Sequence, residues 1–264
     1  MNTETILIAF GLTLIAGLST GIGSSLAFFT KQTNTKFLST ALGFSAGVMI
    51  YISFMEMMPE AQRVLIEHFG EHLGQIYLLL SFFGGMALIQ IIDFLIPEER
   101  NPHELHNVEE LQMNPSSLKK TGLLVAMSIA IHNFPEGLAT FTSALNDVSI
   151  AIPITVAIAI HNIPEGIAVS VPIYQATGNK KKAFYLSFLS GMAEPLGALV
   201  GFFLLMPFWS PTVNSTTLAF VSGIMIFISM DELLPSAQKF GHHHHSVVGM
   251  ICGMVVMAIS LLLL

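Results

Sequence analysis

Eight apolar stretches follow one another along the chain, at 5–30, 37–59, 74–96, 120–143, 148–172, 183–208, 212–235 and 246–264. A helix that crosses the hydrocarbon core of a bilayer needs about 20 mainly apolar residues. Inside that core each backbone N–H and C=O has to be satisfied within the protein, which a helix does by itself. The expected fold is therefore an all-α integral membrane protein of eight transmembrane helices, a single domain over 1–264. The longest polar connection, 97–119, is an acidic loop that composition marks as flexible. Composition agrees, with 53% hydrophobic and only 10% charged residues, where a soluble domain carries about 25% charged.

Several functional classes fall away at once. The single cysteine, Cys252, excludes a disulfide framework and any multi-cysteine metal site. Ten Lys and Arg against a net charge of −7 form no broad basic face for nucleic acid. No phosphate-binding G-x-x-x-x-G-K-[ST] loop occurs, so ATP is not a direct drive. "MNTETILIAF" has no positive region ahead of its apolar residues and reads as the start of a span.

Orientation follows from the cations, because cytoplasmic loops collect Lys and Arg. With the N-terminus outside, the inner connections hold Lys31, Lys36, Arg100, Lys119, Lys120, Lys180, Lys181, Lys182 and Lys239. The outer side holds only Arg63. That split predicts both termini on the outer side.

The sequence also repeats itself. "GVMIYISFMEMMPEAQ" at 47–62 aligns with "GIMIFISMDELLPSAQ" at 223–238, an offset of 176 positions. The copies lie on spans 2 and 7, which run in opposite directions. "HNFPEG" at 132–137 and "HNIPEG" at 161–166 lie on spans 4 and 5, again antiparallel. Spans 1–3 and 6–8 read as an inverted pair, with spans 4 and 5 a second pair between them. Such repeats, meeting at interrupted helices in mid-membrane, are a common transporter plan.

No basic residue lies deep in a span, yet the spans contain Glu56, Asp93, Glu136, Glu165, Glu194, Asp231 and Glu232, with His132 and His161. A charge at mid-bilayer costs at least about 2.5–3.5 kcal/mol. Glu56, Asp93, Asp231 and Glu232 lie near span ends, where headgroup water is within reach. Glu136, Glu165 and Glu194 are deeper and require a proton or an incoming cation.

His132 and Glu136 are four apart and share a helix face. Asn133 is three from Glu136 and leaves the helix about 100° around from His132. One glutamate flanked in this way can bridge two adjacent metal positions. His161, Asn162 and Glu165 repeat the pattern. Pro135 and Pro164 withhold an N–H from the carbonyls of Ile131 and Ile160, and Gly137 and Gly166 admit a close neighbour. Imidazole with carboxylate suits zinc, iron(II) and manganese, and the absent thiolates argue against copper(I). Glu194, in "SGMAEPLG", is a third carboxylate for the same pocket. Met49, mid-span in the repeated segment, offers a soft sulfur; most of the other methionines are packing residues. Three histidine groups lie outside the spans: "EHFGEH" at 67–72, "HELH" at 103–106 and "GHHHHS" at 241–246. The first could collect cations outside, and the others hold them inside, or all three are solvated polar turns.

These motifs resemble the ZIP (Zrt-/Irt-like) family of divalent metal transporters, and the likeness covers the whole chain. It implies a binuclear site between spans 4, 5 and 6. Position M1 would use His132, Glu136, His161 and Glu165, with Met49 as an extra ligand. Position M2 would use Asn133, Glu136, Asn162, Glu165 and Glu194. Some relatives carry glutamine and aspartate where this chain has His161 and Asn162, and the second change removes a charge from M2. The resemblance further implies a bacterial inner membrane, homodimers, and spans 1, 4, 5 and 6 sliding against 2, 3, 7 and 8.

The expected function is uptake of Zn2+ into the cytoplasm, together with Fe2+, Mn2+, Co2+ and Cd2+, with no catalytic cofactor. An intramembrane metallohydrolase also needs buried His and Glu, but there is no H-E-x-x-H, and catalytic zinc wants one open position rather than duplicated ligands. A metal-sensing scaffold is the third reading.

Overall fold

The computed structural model describes residues 3–26, 35–95, 115–239 and 242–263. Among them the chain forms eight long helical runs and no strand. These are α1 (Thr3–Leu26), α2 (Thr35–Phe69), α3 (Glu71–Leu95), α4 (Pro115–Asn146), α5 (Val148–Thr177), α6 (Lys180–Phe208), α7 (Pro211–Gln238) and α8 (His243–Leu263). Seven of them, all but α4, are long and apolar enough among the described residues to cross a membrane. The expected fourth crossing lies on α4, whose side chains over 115–125 are outside the described residues. The loop residues 97–114, with "HELH", are outside them as well.

One edge differs clearly from the sequence reading. The second apolar stretch ends at Pro59, yet α2 continues to Phe69. Pro59 falls in the first turn of the Met58–Phe69 segment, and the turn ahead of it is widened. The Met58 N–H bonds Ser53 O, five residues back, across a π-turn at Ser53–Met57. A wider turn gives the proline ring room without breaking the helix. Beyond it the helix is two-faced. Ala61 and Leu65 are buried, while Arg63 reaches out to Glu60 at 2.7 Å. A second π-turn, Ser229–Leu233, interrupts α7 at the same offset of 176, again just ahead of a proline, Pro235.

The helices pack as two groups. α1, α4, α5 and α6 contact one another, while α2 packs on α8, α3 on α7, and the Met58–Phe69 part of α2 on both α3 and α7. The groups meet where α2 touches α5 and α7 touches α4. The inside of the molecule is polar in many places: Thr13, Thr20, Ser24, Ser45, Thr140 and Ser170 are buried, while Leu7, Phe83, Phe203 and Leu262 face outward. That is the pattern of a protein solvated by lipid, where small hydroxyl residues join helices. Ser24 Oγ donates to Ser187 Oγ at 2.6 Å between α1 and α6.

α4 and α5 are joined by one residue, Asp147, which caps α5. Its carboxylate accepts from the Ser149 N–H at 2.8 Å and the Ser149 hydroxyl at 2.7 Å. This tight reversal lays α5 antiparallel to α4 and brings the second motif copy alongside the first.

Candidate metal centre

The prolines of the two motifs do not break their helices. α4 and α5 run unbroken through Pro135 and Pro164, since each loses a single N–H bond and is held by its neighbours. The interruption lies on α6 instead. Lys180–Gly191 ends at Met192 and a new segment begins at Ala193, with Glu194 in its first turn. The positive end of that segment's dipole favours an anion there.

Glycines set the distances. A Cβ on Gly137 would sit 2.0 Å from Glu194 O, and one on Gly197 would sit 2.1 Å from Phe134 O. No side chain fits at either place, so α4 and α6 touch through their backbones. The contact delivers Glu194 to the level of Glu136. In the same way Gly166 rests on Thr20 O and Gly23 on Ile163 O, pinning α5 to α1.

Asn133, Glu136, His161, Asn162, Glu165 and Glu194 are all fully buried. His161 Nε2 lies 3.1 Å from Glu136 Oε1, across the α4–α5 contact. The Asn162 amide nitrogen donates to Glu194 Oε1 and, at 3.0 Å, to the backbone carbonyl of Ala16. Two acceptors on one nitrogen fix which way the amide faces. Its oxygen Oδ1 is thereby turned elsewhere, with no hydrogen-bond partner among the described residues. Asn133 is held the same way, its Nδ2 donating to Ser190 O at 3.4 Å. Its Oδ1, with Glu136 Oε2 and Glu194 Oε2, also lacks a partner among the described residues.

The sequence reading missed one group. Ser45, on α2, donates its hydroxyl to Glu165 Oε1 at 2.8 Å. It lies one turn before Met49, so the shared face was a usable signal. Met49 is fully buried at the α2–α5 contact, in the apolar cluster with Ile154, Ala157 and Ile158. His132 keeps its place on α4 beside Asn133, with its side chain outside the described residues. Among the described residues no three His, Cys, Asp or Glu side chains converge as a ready metal cage. Glu136, Glu165 and Glu194 are instead engaged by His161, Ser45 and Asn162 respectively.

Chemically the arrangement is rich in carboxyl groups and fully buried. A buried hydrogen-bond acceptor left unsatisfied costs roughly 1–3 kcal/mol, and more when it is charged. Four such oxygens and an imidazole in one interior offer a divalent cation hard O donors and a borderline N donor, the set that suits zinc, iron(II) and manganese.

The ZIP zinc transporter family matches the chain over residues 96–261. The chain is 61% identical to the zinc transporter ZupT of Streptococcus mutans over 255 residues, 97% of each protein. It is 55% identical to the zinc transporter ZupT of Clostridium perfringens over 278 residues, 99% of this chain and 98% of that one. With the zinc transporter ZupT of Lysinibacillus sphaericus the identity is 57% over 264 residues, 98% of each.

Proposed function

The chain belongs to the ZIP zinc transporter family, and from that premise we propose that it carries Zn2+ into the bacterial cytoplasm through a binuclear site between α4, α5 and α6. It is a multi-pass membrane transporter of divalent metal, not an enzyme. The observation that carries the finer reading is the buried group of Glu136, Glu165 and Glu194, beside two amides whose oxygens are turned away from their own hydrogen bonds. Among the described residues no Lys or Arg is buried with this group.

In this reading His132, Glu136, His161 and Glu165 form M1, with Met49 beside it. Asn133, Glu136, Asn162, Glu165 and Glu194 form M2. Fe2+, Mn2+, Co2+ and Cd2+ share the route, because the same donors take them all. Both termini lie outside and α4 completes eight spans. Matching π-turns at Ser53–Met57 and Ser229–Leu233 support an inverted repeat in which α2 answers to α7. The two helix groups, which meet mainly along α2–α5 and α4–α7, support sliding of one against the other. An inward-negative potential favours uptake by about 2.3 kcal/mol per charge per 100 mV, twice that for a divalent ion, with no ATP. Protons take the place of metal on the glutamates between cycles, and the transporter works as a homodimer in the inner membrane.

The test is Zn2+ flux into proteoliposomes loaded with a zinc indicator. The unaltered chain should move zinc, with cadmium and iron(II) competing. Zinc uptake that survives Glu136→Ala combined with Glu165→Ala rules the site out.

A further inference from the structure

Away from the central pocket, four histidines stand at the start of α8, His242 to His245. They differ in their surroundings. His243, His244 and His245 are exposed, the first two with rings 5.6 Å apart, while His242 is only partly exposed. Its Nε2 lies 3.1 Å from the Thr35 hydroxyl, at the beginning of α2. Its backbone carbonyl accepts from Ser39 Oγ at 3.1 Å. His242 is thus held at two points by α2. His245 is three residues on, over the same face of the helix start, and the two rings lie 5.3 Å apart between centroids at an angle of 64°.

We infer that His242 and His245 form a second divalent-metal site at the α7–α8 connection, with Thr35 as its orienting group. The spacing suits this. A zinc or cobalt ion lies about 2.1 Å from an imidazole nitrogen, hence roughly 3.2 Å from the ring centre; two rings at a tetrahedral angle then stand about 5.2 Å apart. A metal-binding imidazole commonly donates its other N–H to an oxygen, which fixes the tautomer and aims the free lone pair. Thr35 Oγ1 fills that role for Nε2 of His242, leaving Nδ1 as the ligand atom. Water completes the shell. The α8 dipole opposes a cation at this end, so the hold is loose, as suits a stop along a path rather than a structural centre. The site itself stands apart from the transport reading; its use as a release-side stop rests on that reading.

The experiment measures Zn2+ binding by calorimetry, with Co2+ visible absorption as a second readout. It uses full-length protein purified without an added histidine tag. The background is Glu136→Ala with Glu165→Ala, so the central pocket does not contribute, and failure there leaves zinc uptake by the unaltered chain as a separate question. One site per chain is expected. His242→Ala or His245→Ala should each abolish it, Thr35→Val should weaken it 10- to 100-fold, and His243→Ala with His244→Ala should leave it within about twofold. Thr35→Val keeps all four rings and the helix, so it tests the geometry without truncating a ligand. Equal losses for every histidine with no effect of Thr35→Val would show a flexible chelating tract and overturn the inference, as would absence of binding in the background protein.

Discussion

His161 and Glu136 hold each other across the α4–α5 contact, Nε2 to Oε1 at 3.1 Å, with both side chains fully buried. The pair comes from different copies of the motif, so each copy completes the other. Glu136→Gln keeps the shape and a hydrogen-bonding group but removes the charge. The fold should survive with a stability change of about 1–2 kcal/mol, while zinc uptake falls at least tenfold. His161→Ala leaves a buried carboxylate without its imidazole and should destabilise more, by about 3–5 kcal/mol. Thermal unfolding in detergent, paired with flux, separates the two effects.

Ser45 ties down Glu165 at 2.8 Å, and a metal has to compete with that bond. Ser45→Ala should therefore lower the stability of the metal-free protein by about 1–3 kcal/mol. It should also tighten zinc binding, by up to roughly tenfold, because the lost bond no longer favours the empty form. Calorimetry on the purified variant checks the direction; weaker binding would mean that Ser45 positions Glu165 for the metal instead.

Gly137→Ala places a methyl 2.0 Å from the backbone oxygen of Glu194. Backbone cannot swing aside as a side chain does, so α4 and α6 must separate. The expected result is a loss of about 1–3 kcal/mol from overpacking together with loss of uptake, since Glu194 moves with α6. Gly84→Ala is the control. A Cβ there meets only the Phe220 ring, at 3.9 Å, and should change little.

The eight apolar stretches and both motif copies were legible in the sequence because each rests on a local pattern, whereas the meeting of α4, α5 and α6 was implied by the family resemblance. Apolar length gives a helix, and i, i+3 and i, i+4 spacing puts Asn133 with Glu136 and His161 with Glu165 on shared faces. What stayed hidden depends on neighbours. The sequence marks Pro135 and Pro164 as points that withhold an N–H, yet packing carries both helices through, and the irregular turns fall at Ser53–Met57, Met192 and Ser229–Leu233. The reach of α2 to Phe69 was hidden by Pro59 and by the charged face that follows it. Ser45 carries no motif; its place one turn before Met49 marks its face, and the packing of α2 on α5 gives it a role.

Asp147 is the lone residue between α4 and α5, and it caps α5. The Ser149 hydroxyl, and then the Ser149 N–H, hold its carboxyl below the usual aspartate range. A lowered folded value means its stabilisation is present above the unfolded pKa and disappears as pH falls through the folded one. Asp147→Ala should cost about 1 kcal/mol near neutrality, in the range for losing an N-cap. The gap from the unaltered protein should close on acidification. Unfolding curves at a series of pH values check this.

The most direct measurement is an anomalous difference map at the zinc absorption edge from crystals grown with Zn2+. Peaks bounded by His161, Glu136, Glu165 and Glu194, with Ser45 and Asn162 released from their carboxylates, are the expected result. Zinc bound elsewhere in the bundle, with those hydrogen bonds intact and no density between the two motif copies, would contradict the assignment of these buried carboxylates as the carrier of the metal.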